Sequence, residues 1–173
     1  MQFSIRTFMS VALLFSSPLL TGASAARADF NQRLLAAHNV ERSAAGVPPL
    51  AWSDELEAEA RAWANTLAAT GRFEHSPDEV ASDLEGENLW AGTPHAYSPE
   101  AMVGLWSSEK KNYRPGIFPN NSLSGEIDDV GHYTQLIWRS SRKVGCATAI
   151  GKSEEYLVCR YSRAGNVYGE RPA

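Results

Sequence analysis

Four residues of the sequence have side chains that could bind a metal ion or exchange protons. They are two histidines and two glutamates, widely separated along the chain: His75, Glu87, Glu109 and His132. Imidazole nitrogens and carboxylate oxygens are ligands that Zn²⁺ and similar divalent ions accept. The same groups serve as general acids and bases. Composition alone leaves open that each of the four has a separate surface or capping role.

Glu109 lies on a predicted helix that begins at Ser98-Pro99-Glu100, with proline at its first helical position. The apolar stripe of this helix contains Met102, Leu105, Trp106 and Tyr113, and Glu109 falls on the same stripe. A carboxylate on a core-facing stripe is uncommon unless it is paired or binds something. The pattern therefore predicts a partner for Glu109.

His132 belongs to the segment 131–138, which reads Gly-His-Tyr-Thr-Gln-Leu-Ile-Trp. Its last three residues are apolar enough to be core, but residues 132–135 carry four polar side chains. Polar groups need hydrogen-bond partners when they are buried. We expect Leu136, Ile137 and Trp138 to pack in the core.

Two further helices are predicted from the spacing of apolar residues. The first spans residues 30–45, with Asp29 as its cap and Gly46 as its end, and His38 on its apolar side is interpreted as a core histidine bonded to backbone. The second starts after Ser53 and stops at Gly71. Its apolar face consists of Leu56, Ala60, Trp63, Ala64 and Leu67.

A β-hairpin is predicted for residues 143–161, with its turn between Lys152 and Ser153. This register places Cys146 directly opposite Cys159, and cross-strand partners lie close enough for a disulfide. Such a bridge would contribute on the order of 3 kcal/mol in the chain-entropy model. With helices outnumbering strands and an antiparallel hairpin, the order of elements indicates an α+β domain.

The first 25 residues have the pattern of a secretory signal peptide, with cleavage after Ala25 or Ala28. One domain, residues 29–173, would then act in an extracellular or periplasmic compartment. The chain has a formal charge of −4. An acidic excess argues against a nucleic-acid partner, and we expect no membrane span.

The chain resembles the CAP superfamily of cysteine-rich secretory, antigen-five and pathogenesis-related proteins, also called the SCP domain. The segment 131–138 is similar to the family signature. Other similar segments occur in the family's order at 38–42, 50–52, 75–76, 86–89, 106–109, 144–147, 159–161 and 165–166. Two cysteines and no added module favour a bacterial-type single-domain member.

The resemblance implies a three-layer α-β-α sandwich around a central antiparallel sheet. It also implies that His75, His132, Glu87 and Glu109 line one cleft, with His132 opposite His75. The cleft would bind a divalent metal, zinc first, beside a possible lipid, sterol or polymer ligand. Residues 77–85 form an acidic insert that departs from the family pattern.

The sequence thus predicts a secreted binding module rather than an enzyme. Two alternatives remain open. One is a metal-dependent hydrolase with Glu87 or Glu109 as its base, although the chain has neither an HExxH nor a Gly-x-Ser-x-Gly motif. The other is a structural or interaction protein whose four polar residues only stabilise the fold.

Overall fold

The computed structural model describes residues 19–77 and 85–173. Most of the predicted signal peptide and most of the acidic insert lie outside these residues. Two short 3-10 helices span Ser108–Asn112 and Ile127–Asp129. The main elements in chain order are α1 (Leu19–Ala44), β1 (Ala51–Trp52), α2 (Asp54–Thr70), β2 (Glu85–Gly92), α3 (Pro99–Ser107), α4 (Gly131–Leu136), β3 (Lys143–Ile150) and β4 (Glu155–Ser162).

The first helix is longer than predicted, because α1 already includes Leu19. Asp29 therefore lies inside the helix, and its prediction as the cap is wrong. The predicted end is correct, since Gly46 follows the helix with a φ of 69°. The carbonyl of Leu34 lies 2.7 Å from Nδ1 of His38, which confirms the interpretation of His38 as a core histidine bonded to backbone. Within the described residues, no helix has the length and hydropathy needed to cross a bilayer.

The second helix has the predicted caps. The Ser53 hydroxyl accepts a hydrogen bond from the Leu56 amide at 3.4 Å, and Gly71 ends the helix with a left-handed φ of 67°. All five residues of the predicted apolar face are buried. In α3, by contrast, Leu105 is 49% exposed, so its assignment to the core stripe is wrong. Met102 and Trp106 are buried as predicted, Val103 joins them in the core, and the chain tightens into a 3-10 helix after Ser107.

The four strands form one sheet in the order β1-β3-β4-β2. Strand β4 pairs antiparallel with both β3 and β2, and Cys146 lies opposite Cys159 in the predicted register. The two cysteines form the predicted disulfide. The short strand β1 is parallel to β3, so the sheet is not purely antiparallel. A parallel pair needs a crossover connection, and here most of the domain lies between the two strands.

Helices cover both faces of the sheet, which confirms the α+β class and the α-β-α sandwich. On one face, α2 packs against the core made by Ala60, Trp63, Ala64, Leu67, Leu89, Ala147, Tyr156 and Val158. On the other face, α1, α3 and α4 share a larger core that includes Leu34, Met102, Trp106, Leu136, Ile137, Val144, Leu157 and the disulfide. Leu136, Ile137 and Trp138 are fully buried, as predicted.

A buried guanidinium connects α1 to the end of α4. Arg42 is fully buried and donates to the carbonyls of Pro48, Leu136, Trp138 and Ser141 at 2.8–3.1 Å. Carbonyls at the end of a helix lack intrahelical partners, and Arg42 supplies them. Burial lowers the pKa of Arg42 to about 10, so the side chain still carries its charge at neutral pH.

Replacing this guanidinium should unfold the domain more readily. We expect Arg42→Met to lower the free energy of unfolding by more than about 3 kcal/mol, because it removes four hydrogen bonds and leaves the buried carbonyl of Leu136 without a donor. Chemical denaturation followed by circular dichroism measures the change. Arg33→Met is the matched control, because Arg33 lies on the same helix and its ion pair with Glu100 is exposed. Equal losses in the two variants would contradict the role of Arg42.

Candidate functional site

Glu109 has the predicted partner, and that partner lies at the start of α4. One carboxylate oxygen lies 2.6 Å from Nδ1 of His132. The other accepts the backbone N–H groups of His132 and Tyr133 at 2.9 and 3.0 Å. The first N–H groups of a helix have no partner within the helix and favour a negative charge. Glu109 therefore holds both the backbone and the ring of His132.

Glu87 forms a similar pair with His75. Its Oε1 lies 2.7 Å from Nδ1 of His75 and accepts the Ser76 N–H at 3.1 Å. Burial alone would raise the pKa of the Glu87 carboxyl, but the bonds from His75 and Ser76 and the charge of Arg160 outweigh burial and lower it. Arg160 Nε lies 3.2 Å from Oε2 of Glu87, at an angle that makes the contact an ion pair rather than a hydrogen bond.

The two pairs leave the same ring atom open on each histidine. A neutral imidazole carries one proton, and a carboxylate beside Nδ1 keeps the proton there. Nε2 then has a free lone pair, which is the form that binds a metal ion. Carboxylate–histidine pairs of this kind orient the ring and raise its basicity at metal sites.

His75, Glu87 and His132 line one cavity of about 250 Å³. Glu109 lies behind His132, on the Nδ1 side of the ring, and is not among the lining residues. The rest of the lining is Asn88, Ile127, Asp128, Gly131 and Asn166. In the part of the chain that the structure describes, no three of the four predicted residues place their donor atoms within 4.8 Å of one another. The structure thus shows two histidine–glutamate pairs at one cavity rather than a closed four-ligand cage.

The cavity lies at the edge strand β2, and that strand supplies consecutive residues to it. Successive side chains of a strand point to opposite faces. Glu87 reaches His75, whereas Asn88 donates to the carbonyl of His132 at 3.1 Å. The indole of Trp106 stacks on the His132 ring, with centroids 6.2 Å apart and planes 9° from parallel.

Three polar residues at the site were not predicted from the sequence as functional. Asn166 donates to the Gly131 carbonyl at 2.9 Å and accepts from the Thr134 hydroxyl at 2.6 Å. Asp128 adds a carboxylate to the cavity wall, and Arg160 lies buried beneath Glu87. For Asn166 the available signal was the segment 165–166, which is similar to the family in sequence. Asp128 and Arg160 gave none, because each reads as an ordinary charged residue.

A second cluster of potential ligands has a structural explanation. Donor atoms of His38, Cys146 and Cys159 lie within 4.8 Å of one another and are buried. Both sulfurs belong to the disulfide, and a metal ligand must be a thiolate. Both nitrogens of His38 are already engaged, with the Leu34 carbonyl and the Tyr161 hydroxyl. We therefore interpret this cluster as core.

The α-β-α sandwich and the two histidine–glutamate pairs at the edge of its sheet are the features that the sequence resemblance implied for this domain. The family described as "CAP: Cysteine-rich secretory protein family" matches residues 35–161. The chain belongs to that family.

Relatives match nearly the whole chain. Pathogenesis-related protein 1C of Nicotiana tabacum is 36% identical over 172 residues, which is 99% of this chain and 95% of the relative. Golgi-associated plant pathogenesis-related protein 1 of Homo sapiens is 34% identical over 151 residues, or 86% and 92% of the two chains. The crystal structure of NaASP2 with Zn²⁺ has the same fold, with a TM-score of 0.70 at 24% identity over 82% of this chain and 83% of that one.

The contacts of Glu109 predict a structural cost that is independent of any metal. Glu109→Ala removes both acceptor oxygens, so the backbone N–H groups of His132 and Tyr133 and the Nδ1 proton of His132 all lose their acceptor. We expect the metal-free variant to lose about 1–3 kcal/mol of unfolding free energy. Urea denaturation in EDTA measures this loss. Glu126→Ala, at an exposed position, is the control, and an unchanged midpoint for Glu109→Ala would contradict the role of Glu109 at the start of α4.

Proposed function

We propose that the cavity binds a divalent transition-metal ion through Nε2 of His75 and Nε2 of His132. The observation that carries the proposal is the pairing of each Nδ1 with a glutamate, which leaves both Nε2 atoms as ligands. Glu87 and Glu109 then act by orienting the rings. The bound ion would supply a Lewis acid and a charge to which oxygen ligands of a partner molecule can attach.

Imidazole ligands favour zinc, copper, nickel and iron over magnesium or calcium. Asp128 lines the same cavity and could complete the ligand set, together with water. NaASP2, a protein of the same fold, was crystallised with Zn²⁺. Zinc is therefore the first ion to test.

Ion binding without catalysis agrees best with the hydrogen bonds of the two glutamates. A general base must be free to accept a proton from a water or a substrate. Glu87 and Glu109 already accept from histidine Nδ1 at 2.7 and 2.6 Å. A hydrolase that used either carboxylate as its base would first have to break that bond and release the ring.

The predicted lipid or sterol ligand remains a prediction. Its candidate location is the groove between α1 and α3, where Ala37, Val40, Val103 and Gly104 supply apolar surface. This groove has a volume of about 230 Å³, below the roughly 300–1,000 Å³ of most small-molecule pockets. The groove would have to open before it could hold a sterol.

We further propose that the protein acts after export, in the extracellular or periplasmic compartment. The family description as secretory supports this location. The disulfide between Cys146 and Cys159 supports it as well, because disulfides persist in oxidising compartments. The predicted cleavage after Ala25 or Ala28 can be checked by mass spectrometry of the protein purified from its own host.

Removing one imidazole should abolish tight metal binding. We expect His132→Ala to weaken the affinity for Zn²⁺ and Co²⁺ by more than about a hundredfold, because loss of a ligand should exceed the 10–100-fold effect of removing an outer-shell partner. Isothermal titration of EDTA-treated protein measures the affinity. His95→Asn is the control, because His95 is not among the cavity lining and its φ of 61° suits asparagine.

The outcome also separates metal binding from a purely structural role of the four residues. A folded His132→Ala variant without metal affinity supports the binding module. Wild-type protein that binds none of zinc, cobalt and nickel at neutral pH contradicts the proposal. If the variant unfolds while the wild type also binds no metal, the four residues stabilise the fold alone.

A further inference from the structure

A chain of buried hydrogen bonds connects helix α1 to the carbonyl of His132. His38 Nε2 lies 2.8 Å from the Tyr161 hydroxyl. Asn88 Nδ2 lies 3.2 Å from the same hydroxyl and 3.1 Å from the His132 carbonyl. His38, Tyr161 and Asn88 are each at most 2% exposed. The chain therefore crosses the core from α1 through β4 and β2 to α4.

Each donor and acceptor in this chain is fixed by its neighbours. The Leu34 carbonyl can only accept, so Nδ1 of His38 carries the ring proton and Nε2 accepts. The Tyr161 hydroxyl must then donate to His38, which leaves its oxygen to accept from Asn88. The two hydrogens of the Asn88 amide point to Tyr161 and to the His132 carbonyl. One histidine tautomer and one amide orientation thus satisfy all four groups.

The aromatic ring of Trp106 closes a second connection between the same two histidines. Its indole meets His38 edge-on, with centroids 6.0 Å apart, and stacks on His132 from the other side. The indole N–H donates to the Leu89 carbonyl at 2.9 Å, next to Asn88 in β2. His132 is therefore held at its carbonyl by Asn88, on its ring face by Trp106 and at its Nδ1 by Glu109.

We propose that Tyr161, together with His38 and Asn88, is a positioning residue that sets the place of His132 at the cavity. This inference rests on the proposed function, in which His132 is a metal ligand. Tyr161 is not a lining residue of the cavity, so any effect it has on a bound ion must pass through Asn88 and His132.

The burial of the chain makes each link costly to break. A buried donor or acceptor without a partner costs about 1–3 kcal/mol. Burial lowers the pKa of His38 to about 4, so its Nε2 stays an acceptor at neutral pH. Burial also raises the pKa of Tyr161 well above its usual value, so its hydroxyl keeps the proton that it donates. The network therefore keeps the same donors and acceptors throughout the neutral pH range.

The test is Tyr161→Phe, which removes the hydroxyl and keeps the ring. We expect the Co²⁺ affinity to fall about tenfold, the size of effect typical of outer-shell partners, and the visible absorption of bound Co²⁺ to change. Tyr156→Phe is the matched control: Tyr156 is buried in the same strand, and its hydroxyl binds Glu154 on the α2 side of the sheet. A purely structural role would lower the thermal midpoint of either variant without altering the Co²⁺ spectrum.

Two outcomes overturn the inference. One is an unchanged Co²⁺ affinity and spectrum in folded Tyr161→Phe. The other is measured without metal: the NMR shifts of the His132 ring and carbonyl in Tyr161→Phe differ from wild type no more than they do in Tyr156→Phe. If Tyr161→Phe fails to fold, Asn88→Ala takes its place and is judged by the metal-free His132 shifts alone, because Asn88 also lines the cavity. This variant keeps the bond between Tyr161 and His38 and removes the bonds of Asn88 to Tyr161 and to the His132 carbonyl.

The metal-free NMR comparison separates this inference from the proposed function. Wild-type protein that binds no Co²⁺ contradicts the proposed function alone. Displaced His132 resonances in metal-free Tyr161→Phe, but not in Tyr156→Phe, would still support the positioning role.

Discussion

The packing of α4 against α1 depends on the buried charge of Arg42. This guanidinium reaches four carbonyls that no strand or helix satisfies, in the link after α1, at the end of α4 and before β3. Because α4 has only six residues, its own hydrogen bonds are too few to hold it in place. Arg42 fixes its end and Glu109 fixes its start. The position of His132 follows from these two contacts.

The site combines two different supports at one sheet edge. His132 is held by a helix start, a stacked indole and a buried hydrogen-bond chain. His75 is held by Glu87 from the edge strand, with Arg160 balancing the negative charge from below. The alternation of β2 assigns Glu87 to one histidine and Asn88 to the other. Two consecutive residues of the edge strand therefore hold the two histidines on opposite sides of the cavity.

Much of this arrangement could be predicted from the sequence, for physical reasons that differ between elements. The caps of α2 and the register of the hairpin depend on local residues and were predicted correctly. A partner for Glu109 was predicted because a carboxylate on an apolar stripe needs one, but its identity was not, since that depends on tertiary contacts. The exposure of Leu105 and the start of α1 were predicted wrongly: apolar periodicity does not reveal where a helix leaves the core. Arg160 gave no signal, because only the sheet places it beneath Glu87.

The unequal exposure of the two histidines has a consequence for ion discrimination. The His75 side chain is 64% exposed and lies in irregular backbone after α2, whereas the His132 side chain is 35% exposed and fixed on several sides. An ion between them would meet one ligand of fixed position and one that can follow it. Such a site adapts to the bond lengths of several metals instead of selecting one by size. Which metal occupies it would then be decided by intrinsic affinity and by the metals available in the compartment.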